Sequence, residues 1–580
     1  MSVDRQPSPG SKRTDPAVRI IIKEAESLIS KADLPYPSPE LLECFIYLGL
    51  NPKAAAEYII NACQSSNDST ATLMSLVESW TFIVEAISKH GQAPPEIDAS
   101  LRAEITLRDG GRDCITGKRG TLWDPLVVRP IIPVPSQWLT DDCQISAMLG
   151  VFFTESYRDW WLDHAREPHR MHPLRYHWLV RESSASIFSQ GLIALHRNEP
   201  STIEYTVEPI MIGTMKEDIE VDGRYPLLGD HSRMGTLNVD YRFLGTHCRL
   251  SPTIRWLEVA RQMSLSRKVP NTPSLASTLA NAFPIPSLVK VGKATLLGIV
   301  LPLWLMVPRR ARIAVYKGLR QVGRRLYGQR DSPAQVQKLP FGLYLKFSSW
   351  PDSHQNEFNA LKLIRKYTSI PVPRPLDVIT IPATAPGGES YKQNFLLTTR
   401  MPGRPIADRE TMFSDQDCAE YVAQMQDIIT QLRTIPRPEE FEFAICNTLG
   451  GPCRDGRIRW SNQIGPFKDE EAFNQSMLYS DDPARRGHRI VFTHADLNAR
   501  NILVNQVIRP DGTWGWEVSG IVDWEGSGYY PEYWDYTKSL YEGFRFGARW
   551  CDMAHRIFEV CGDLKKELEV ERRSWRESIF

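Results

Sequence analysis

Two apolar runs with a polar loop between them fix one corner of this chain. Ile490, Val491 and Phe492 precede the loop and Ile502, Leu503 and Val504 follow it, in VFTHADLNARNILV. Both runs are short and rich in β-branched residues, so they read as buried strands. They pin the loop so that Asp496 and Asn501, five apart, converge. A third run, Val518 to Val522, leads straight into Asp523. Asp496 can accept the proton of an attacking hydroxyl or orient that hydroxyl. Asn501 offers a neutral carbonyl oxygen to a hard cation such as Mg²⁺. Asp523 sits where it can bridge metal and phosphates. His494 is expected to support the loop through backbone hydrogen bonds. An Asp and an Asn in one turn mean little alone. The joint order (strand, His-x-Asp, Asn, strand, then strand-Asp-Trp-Glu) constrains far more.

The segments running from His494 to Leu503 and from Ile521 to Glu525 resemble the signature of the aminoglycoside phosphotransferase and choline kinase-like family. The resemblance covers residues 310–565, under half of the chain. It implies an α+β, two-lobed protein-kinase-like domain using ATP and Mg²⁺. In that reading Asp496 is the catalytic residue, and Asn501 and Asp523 are metal ligands. Lys346, in the strand-like LYLKF, matches the lysine that holds the α/β-phosphates. Glu357, eleven residues on in a helical pattern, is placed to pair with it. The stretch Phe395 to Gly403 resembles the inter-lobe hinge, with Thr399, Arg400 and Met401 meeting the adenine edge. Asp535 matches a late acidic position and reads as structural. Ala495 stands where the family usually has Gly, a mild departure if the backbone there suits Ala. No G-x-G-x-x-G lies between Arg309 and Lys346. That absence keeps a catalytically weak or inactive binding or scaffold protein as the alternative to an enzyme. The implied acceptor is a hydroxyl of a small molecule, chosen within 405–485. The protein-kinase landmark Ala-Pro-Glu is missing, and Asp523 is followed by Trp524 and Glu525.

The rest of the chain divides by texture. Residues 1–16 are polar and Pro/Ser-rich and read as a disordered tail. Residues 17–98 show helical recurrence, with Asn51-Pro52 opening a helix as turn and N1 proline. Residues 99–267 alternate short apolar runs with Gly, Pro and Asp, as in a mixed α+β domain with Trp160, Trp161 and Trp178 in its core. Residues 268–308 read as a linker carrying a short apolar segment, 309–400 as the small lobe and 401–580 as the helical lobe. Arg108 to Gly117, with Val128 to Pro133, resembles a degenerate HNH-endonuclease-like domain of fungal proteins. There Arg129 stands where such domains place a metal-associated His, and a guanidinium neither ligates metal nor acts as a base. His164, His169, His172 and His177 are broken by Pro168 and Pro173 and read as packed or solvated histidines, not a metal site.

Ala294 to Pro308 carries no charge but is short for a bilayer span, and Pro302 interrupts it. Seven Lys/Arg follow between Arg309 and Gly328, with no acid before Asp331. Two readings stay open: a docked segment followed by a basic surface helix, or a peripheral membrane contact through 294–328. The net charge of zero gives no whole-chain attraction to polyanions, and no nucleic-acid partner is expected. Ten scattered cysteines without a CxxC pair suit a reducing compartment, hence a cytoplasmic location.

Overall fold

The computed structural model describes residues 16–88, 97–133, 143–213, 226, 228–266, 301–327, 336–348, 353–384, 390–455, 457, 463–541 and 546–577. The segments read as a tail (1–15) and as most of the linker (267–300) lie outside them. The chain separates into two compact units, dividing at residues 265 and 266.

The first unit begins with four helices, Pro16–Lys31, Ser38–Leu48, Pro52–Gln64 and Ser69–Ser88. Asn51 caps the third by accepting the Ala54 N–H (3.2 Å), and Pro52 follows at N1. Ser69–Ser88 is, among the described residues, the one helix long and apolar enough to cross a bilayer. Here it buries Trp80, Ile83, Val84 and Ile87 inside the unit. The mixed region adds two antiparallel pairs, Leu126–Pro130 with His177–Arg181 and Ile193–Arg197 with Tyr205–Pro209. The long helix Tyr241–Ser266 closes it. Helical and mixed segments share a single hydrophobic cluster running from Ile22 to Leu257.

The motif RDGGRDC is scaffolding. Buried Arg108 donates to Asp109 and to the His177 carbonyl (2.8 Å), and Asp109 accepts the Leu179 N–H (2.8 Å). Asp113 accepts from Ser184 (2.7 Å). Arg129 is half-exposed and paired with Glu182 at 3.2 Å. Trp161 and Trp178 are buried, whereas Trp160 is only partly so and carries Arg242 over its ring. The histidines do not converge. His164 sits among Trp160, Trp161, Tyr176 and Phe243, where burial drives its pKa down to about 4.

The second unit holds a four-stranded antiparallel sheet in the order Val336–Leu339, Leu343–Ser348, Ser390–Thr399, Pro375–Thr384. Alternation along LYLKFS splits the second strand between two faces. Leu345 joins Ile313 and Tyr316 of the helix Arg309–Tyr327 in one cluster, with Leu343 and Phe347 against it. That helix is fastened by a buried charge: Arg312 donates to Asp377 (2.5 Å), and so does the Tyr316 hydroxyl (2.6 Å). It is therefore docked along one face rather than being a free surface helix.

A larger cluster gathers around the helix Asp415–Leu432, which opens with a Ser414/Asp417 capping box. Strands Ile490–Thr493, Ile502–Ile508, Trp514–Ile521 and Gly528–Pro531 and helices Trp534–Tyr541, Ala548–Ile557 and Lys565–Glu577 complete it. The pattern after Phe413 reads as mostly helical outside the motif, and between Arg433 and Arg489 this fails. Only Glu470–Asn474 is α-helical among the described residues there. Pro436, Pro438, Pro452, Pro466 and Pro483, with Gly450, Gly451 and Gly465, interrupt the backbone ladder.

Gly403 is required by its surroundings. Its φ is +92°, and a Cβ there would lie 2.1 Å from Ser519 Oγ and 2.6 Å from the Val504 carbonyl. Gly403→Ala is expected to cost about 2 kcal/mol or more of stability, read as a lower urea midpoint.

Candidate active site

The loop 494–501 hangs between strands Ile490–Thr493 and Ile502–Ile508, as the apolar runs require. Ile502 pairs with Ile521 at the end of the neighbouring strand, which brings Asp523 beside the loop. Two bonds lock the approach. The Val522 N–H donates to the Asn501 carbonyl (2.9 Å), and His494 Nε2–H donates to the Val522 carbonyl (3.0 Å). His494 Nδ1 also accepts the Asp496 N–H (3.2 Å), and its ring packs on Trp524. His494 thus holds both loops together, as expected of a supporting residue.

Asp535 is fully buried and accepts the Ala495 N–H on Oδ1 (2.8 Å). Its other oxygen faces Arg433 at 3.3 Å. Ala495 is not in an ordinary conformation. Its φ is +63°, the left-handed region in which Gly is at ease. The substitution for Gly is therefore strained, by about 1–2 kcal/mol, and the Asp535 bond holds it in place. Asp523 is left-handed too (φ 70°, ψ 54°), a conformation an Asp tolerates.

Lys346 lies between acids. Its Nζ donates to Glu357 Oε2 (2.7 Å) and to Asp523 Oδ1 (2.5 Å). Burial disfavours the ammonium, but Asp523 and Glu357 outweigh it and hold its pKa well above the usual lysine value. Lys346 in turn pulls the Asp523 carboxyl below its ordinary range, against desolvation. Burial raises Glu357 despite Lys346. Glu525 is pushed to about 7 by burial and by Asp523. One oxygen each from Glu357, Asp523 and Glu525 lies within 4.8 Å of the others. The Asp523 side chain is 40 % exposed and that of Asp496 36 %, so both carboxylates reach solvent.

The helix Ser353–Tyr367 that carries Glu357 is itself bolted down. Asn356 Nδ2 donates to the Glu525 and Ser527 carbonyls (2.9 and 2.8 Å), and its Oδ1 accepts the Thr448 N–H (2.9 Å). Asn359 donates to the Thr448 carbonyl (2.7 Å).

Asp496 is gripped from three sides. Asn501 Nδ2 donates to Asp496 Oδ2 (3.0 Å) and Asn498 Nδ2 to Oδ1 (3.2 Å). Lys538 Nζ stands 3.5 Å from Oδ1. Burial raises the Asp496 carboxyl, Lys538 opposes that, and Asp523 adds to it, leaving a net rise. The Asn501 amide nitrogen is thus committed to Asp496, to its carbonyl (2.9 Å) as well as its carboxylate.

Residues 340–566 match the phosphotransferase enzyme family. They overlap the stretch 310–565 that carries the resemblance and leave 310–339 outside the match. A search of curated proteins finds no match.

Within this matched segment the stretch after Ser390–Thr399 is partly committed. The Thr399 N–H donates to the Arg374 carbonyl (3.1 Å) and the Arg400 N–H to the Gly342 carbonyl (2.8 Å). Met401 packs over Gly520, where an added Cβ would come within 3.0 Å of it. Ahead of Lys346 the hairpin closes through Pro340–Gly342, with Phe341 exposed. Two residues escaped the sequence reading. Glu525 was part of the motif but had no role, because its proximity to Glu357 is long-range. Lys538, 9 % exposed, also lies 3.8 Å from Asp455, which Arg457 holds at 2.8 Å. Its one signal was its place three residues after Asp535 on a helix, which puts both on one face.

Asp535→Ala would release the Ala495 turn and leave Arg433 facing no carboxylate. A stability loss of about 3 kcal/mol is expected in chemical denaturation, because half of a buried pair is removed.

Proposed function

We propose that this chain is an ATP- and Mg²⁺-dependent phosphotransferase that moves the γ-phosphate to a hydroxyl of a small molecule. Its segment from the first sheet to the last helices would form a two-lobed kinase-like domain, with the sheet and the Glu357 helix as the small lobe. The observation that carries the reading is the cluster of Glu357, Asp523 and Glu525 on one lysine, next to the Asp496–Asn501 pair.

The residues suit a hard divalent cation. Three carboxylates crowd one ammonium, burial and the neighbouring Asp523 push Glu525 up to about 7, and Asn501 has an oxygen to spare. Mg²⁺ held by Asp523 and Asn501 would neutralise charge on the transferring phosphoryl group. Lys346, kept in place by Glu357, is the cation for the phosphates. Its present bond to Asp523 is the contact that nucleotide phosphates exchange for. Asp496 takes the proton of the acceptor hydroxyl at its carboxylate, and Asn501, Asn498 and Lys538 fix its orientation. Thr399, Arg400 and Met401 border the adenine, with the Met401 N–H as donor. A small acceptor is favoured by the family match, and the missing Ala-Pro-Glu and the Trp524-Glu525 after Asp523 speak against a protein acceptor.

A binding protein without turnover is the second reading. It is favoured by the helix Arg309–Tyr327 and the tight Phe341 turn, which stand ahead of Lys346 where a glycine loop would cover phosphates.

ATP is expected to raise the melting temperature only with Mg²⁺, as a ligand of the native state must. Asp523→Ala should lose that shift. Asp496→Ala should keep it and lose acceptor-dependent ADP release by about 10²–10⁴-fold. Lack of a shift in the wild type counts against the enzyme, and equal ADP release in wild type and Asp496→Ala favours the binding protein. Lys538→Met is expected to lower kcat at least about tenfold with little change in KM for ATP, and Lys538→Arg to restore part of it.

A further inference from the structure

The docked helix has a second face that nothing described covers. Residues 301–306 are helical and lead through Pro308 into the helix Arg309–Tyr327. Trp304 anchors them: its Nε1–H donates to the Tyr316 hydroxyl (2.9 Å), and Leu301 and Trp304 pack on the cluster of Ile313 and Tyr316. With that side held inward, the other points out. Leu303 is 62 % exposed, Leu305 43 % and Met306 80 %. The following helix continues the stripe with exposed Val315, Val322 and Leu326, seven and four residues apart.

The helix cannot rotate to hide this stripe. Arg312 and Tyr316 are tied to Asp377, and a Cβ at Gly323 would lie 2.3 Å from the Lys338 carbonyl. Basic side chains flank the stripe: Arg309, Arg310, Lys317 and Arg325 are exposed, and they form no ion pair among the described residues. No Asp or Glu occurs between Leu301 and Arg330. An apolar edge fixed outward, with four basic groups beside it and no acid, is complementary to an anionic lipid leaflet. A protein partner of ordinary mixed charge would leave these cations unmatched.

We propose that residues 301–326 dock the chain on an anionic membrane surface. Leu303, Leu305 and Met306 enter the boundary between headgroups and acyl chains, and the arginines and lysine meet lipid phosphates. The element lies on the surface without crossing it, since Pro308 and the Arg309-Arg310 pair end the apolar stretch.

The test is co-sedimentation of the full chain with phosphatidylcholine vesicles and with mixed phosphatidylcholine–phosphatidylserine vesicles. Binding to the mixed vesicles is expected, at least about tenfold weaker on neutral ones and weakened by salt. The double variant Arg309→Ser/Arg310→Ser should lower partitioning about thirtyfold, at about fivefold per charge. Leu303→Ser/Met306→Ser should abolish binding even to anionic vesicles. These side chains are exposed, so both variants should keep the wild-type melting temperature. The proposal is overturned if wild-type protein ignores anionic vesicles, or if both variants bind as wild type does. It is equally overturned if the variants instead abolish a self-association seen without lipid, since the stripe would then join two copies of the chain.

Discussion

A lysine withdrawn from water holds three separate parts of this structure at one point. Lys346 comes from the small sheet, Glu357 from the helix after it, and Asp523 from the end of a strand far along the chain. Desolvating an ammonium is costly, and only close opposite charges make it tolerable. The two carboxylates would likewise repel each other without the lysine. Each group is therefore stable only where the other two are. The register of the sheet, the position of the helix and the left-handed turn at Asp523 all conform to that meeting. Removing the lysine alone would strand the buried Glu357 carboxylate, a change of about 3–5 kcal/mol.

The Asp496 side is organised differently. Its carboxylate is held by neutral amides and by one lysine at longer range, and the loop that carries it hangs from Asp535 and His494. Asp535 is sealed in the core while Asp496 and Asp523 reach solvent. Three acids of one sequence region thus divide by burial, one sealed in as support and two open to solvent. The strain at Ala495 sits on the support side, where the surrounding bonds over-determine the turn.

Much of this was legible in the chain because local pattern encodes it. Strand-loop-strand punctuation placed Asp496 and Asn501, and the apolar neighbours in LYLKF put Lys346 on a strand. The hairpin around Pro340-Phe341-Gly342 and the cap at Asn51 followed from turn chemistry. What stayed hidden depends on contacts between distant residues. Glu525 meets Glu357 across more than a hundred positions, and Lys538 reaches Asp496 from another helix. The Arg312–Asp377 pair turned a basic run into a docked helix. The segment after Arg433 was read within a helical lobe, and its prolines and glycines break that pattern. The helices before residue 98 looked separable, since a periodic pattern shows which face is buried but not what covers it.

The two asparagines of the Glu357 helix carry a last consequence. Asn356 and Asn359 fasten that helix to the backbone at Thr448, Glu525 and Ser527 with bonds of ordinary length. Swinging that helix outward would orphan several amides at once. The lysine–glutamate contact is therefore assembled before any reactant arrives. Displacing this helix is therefore a costly way to break the lysine–glutamate contact, because the same movement would strip the asparagines of their backbone partners.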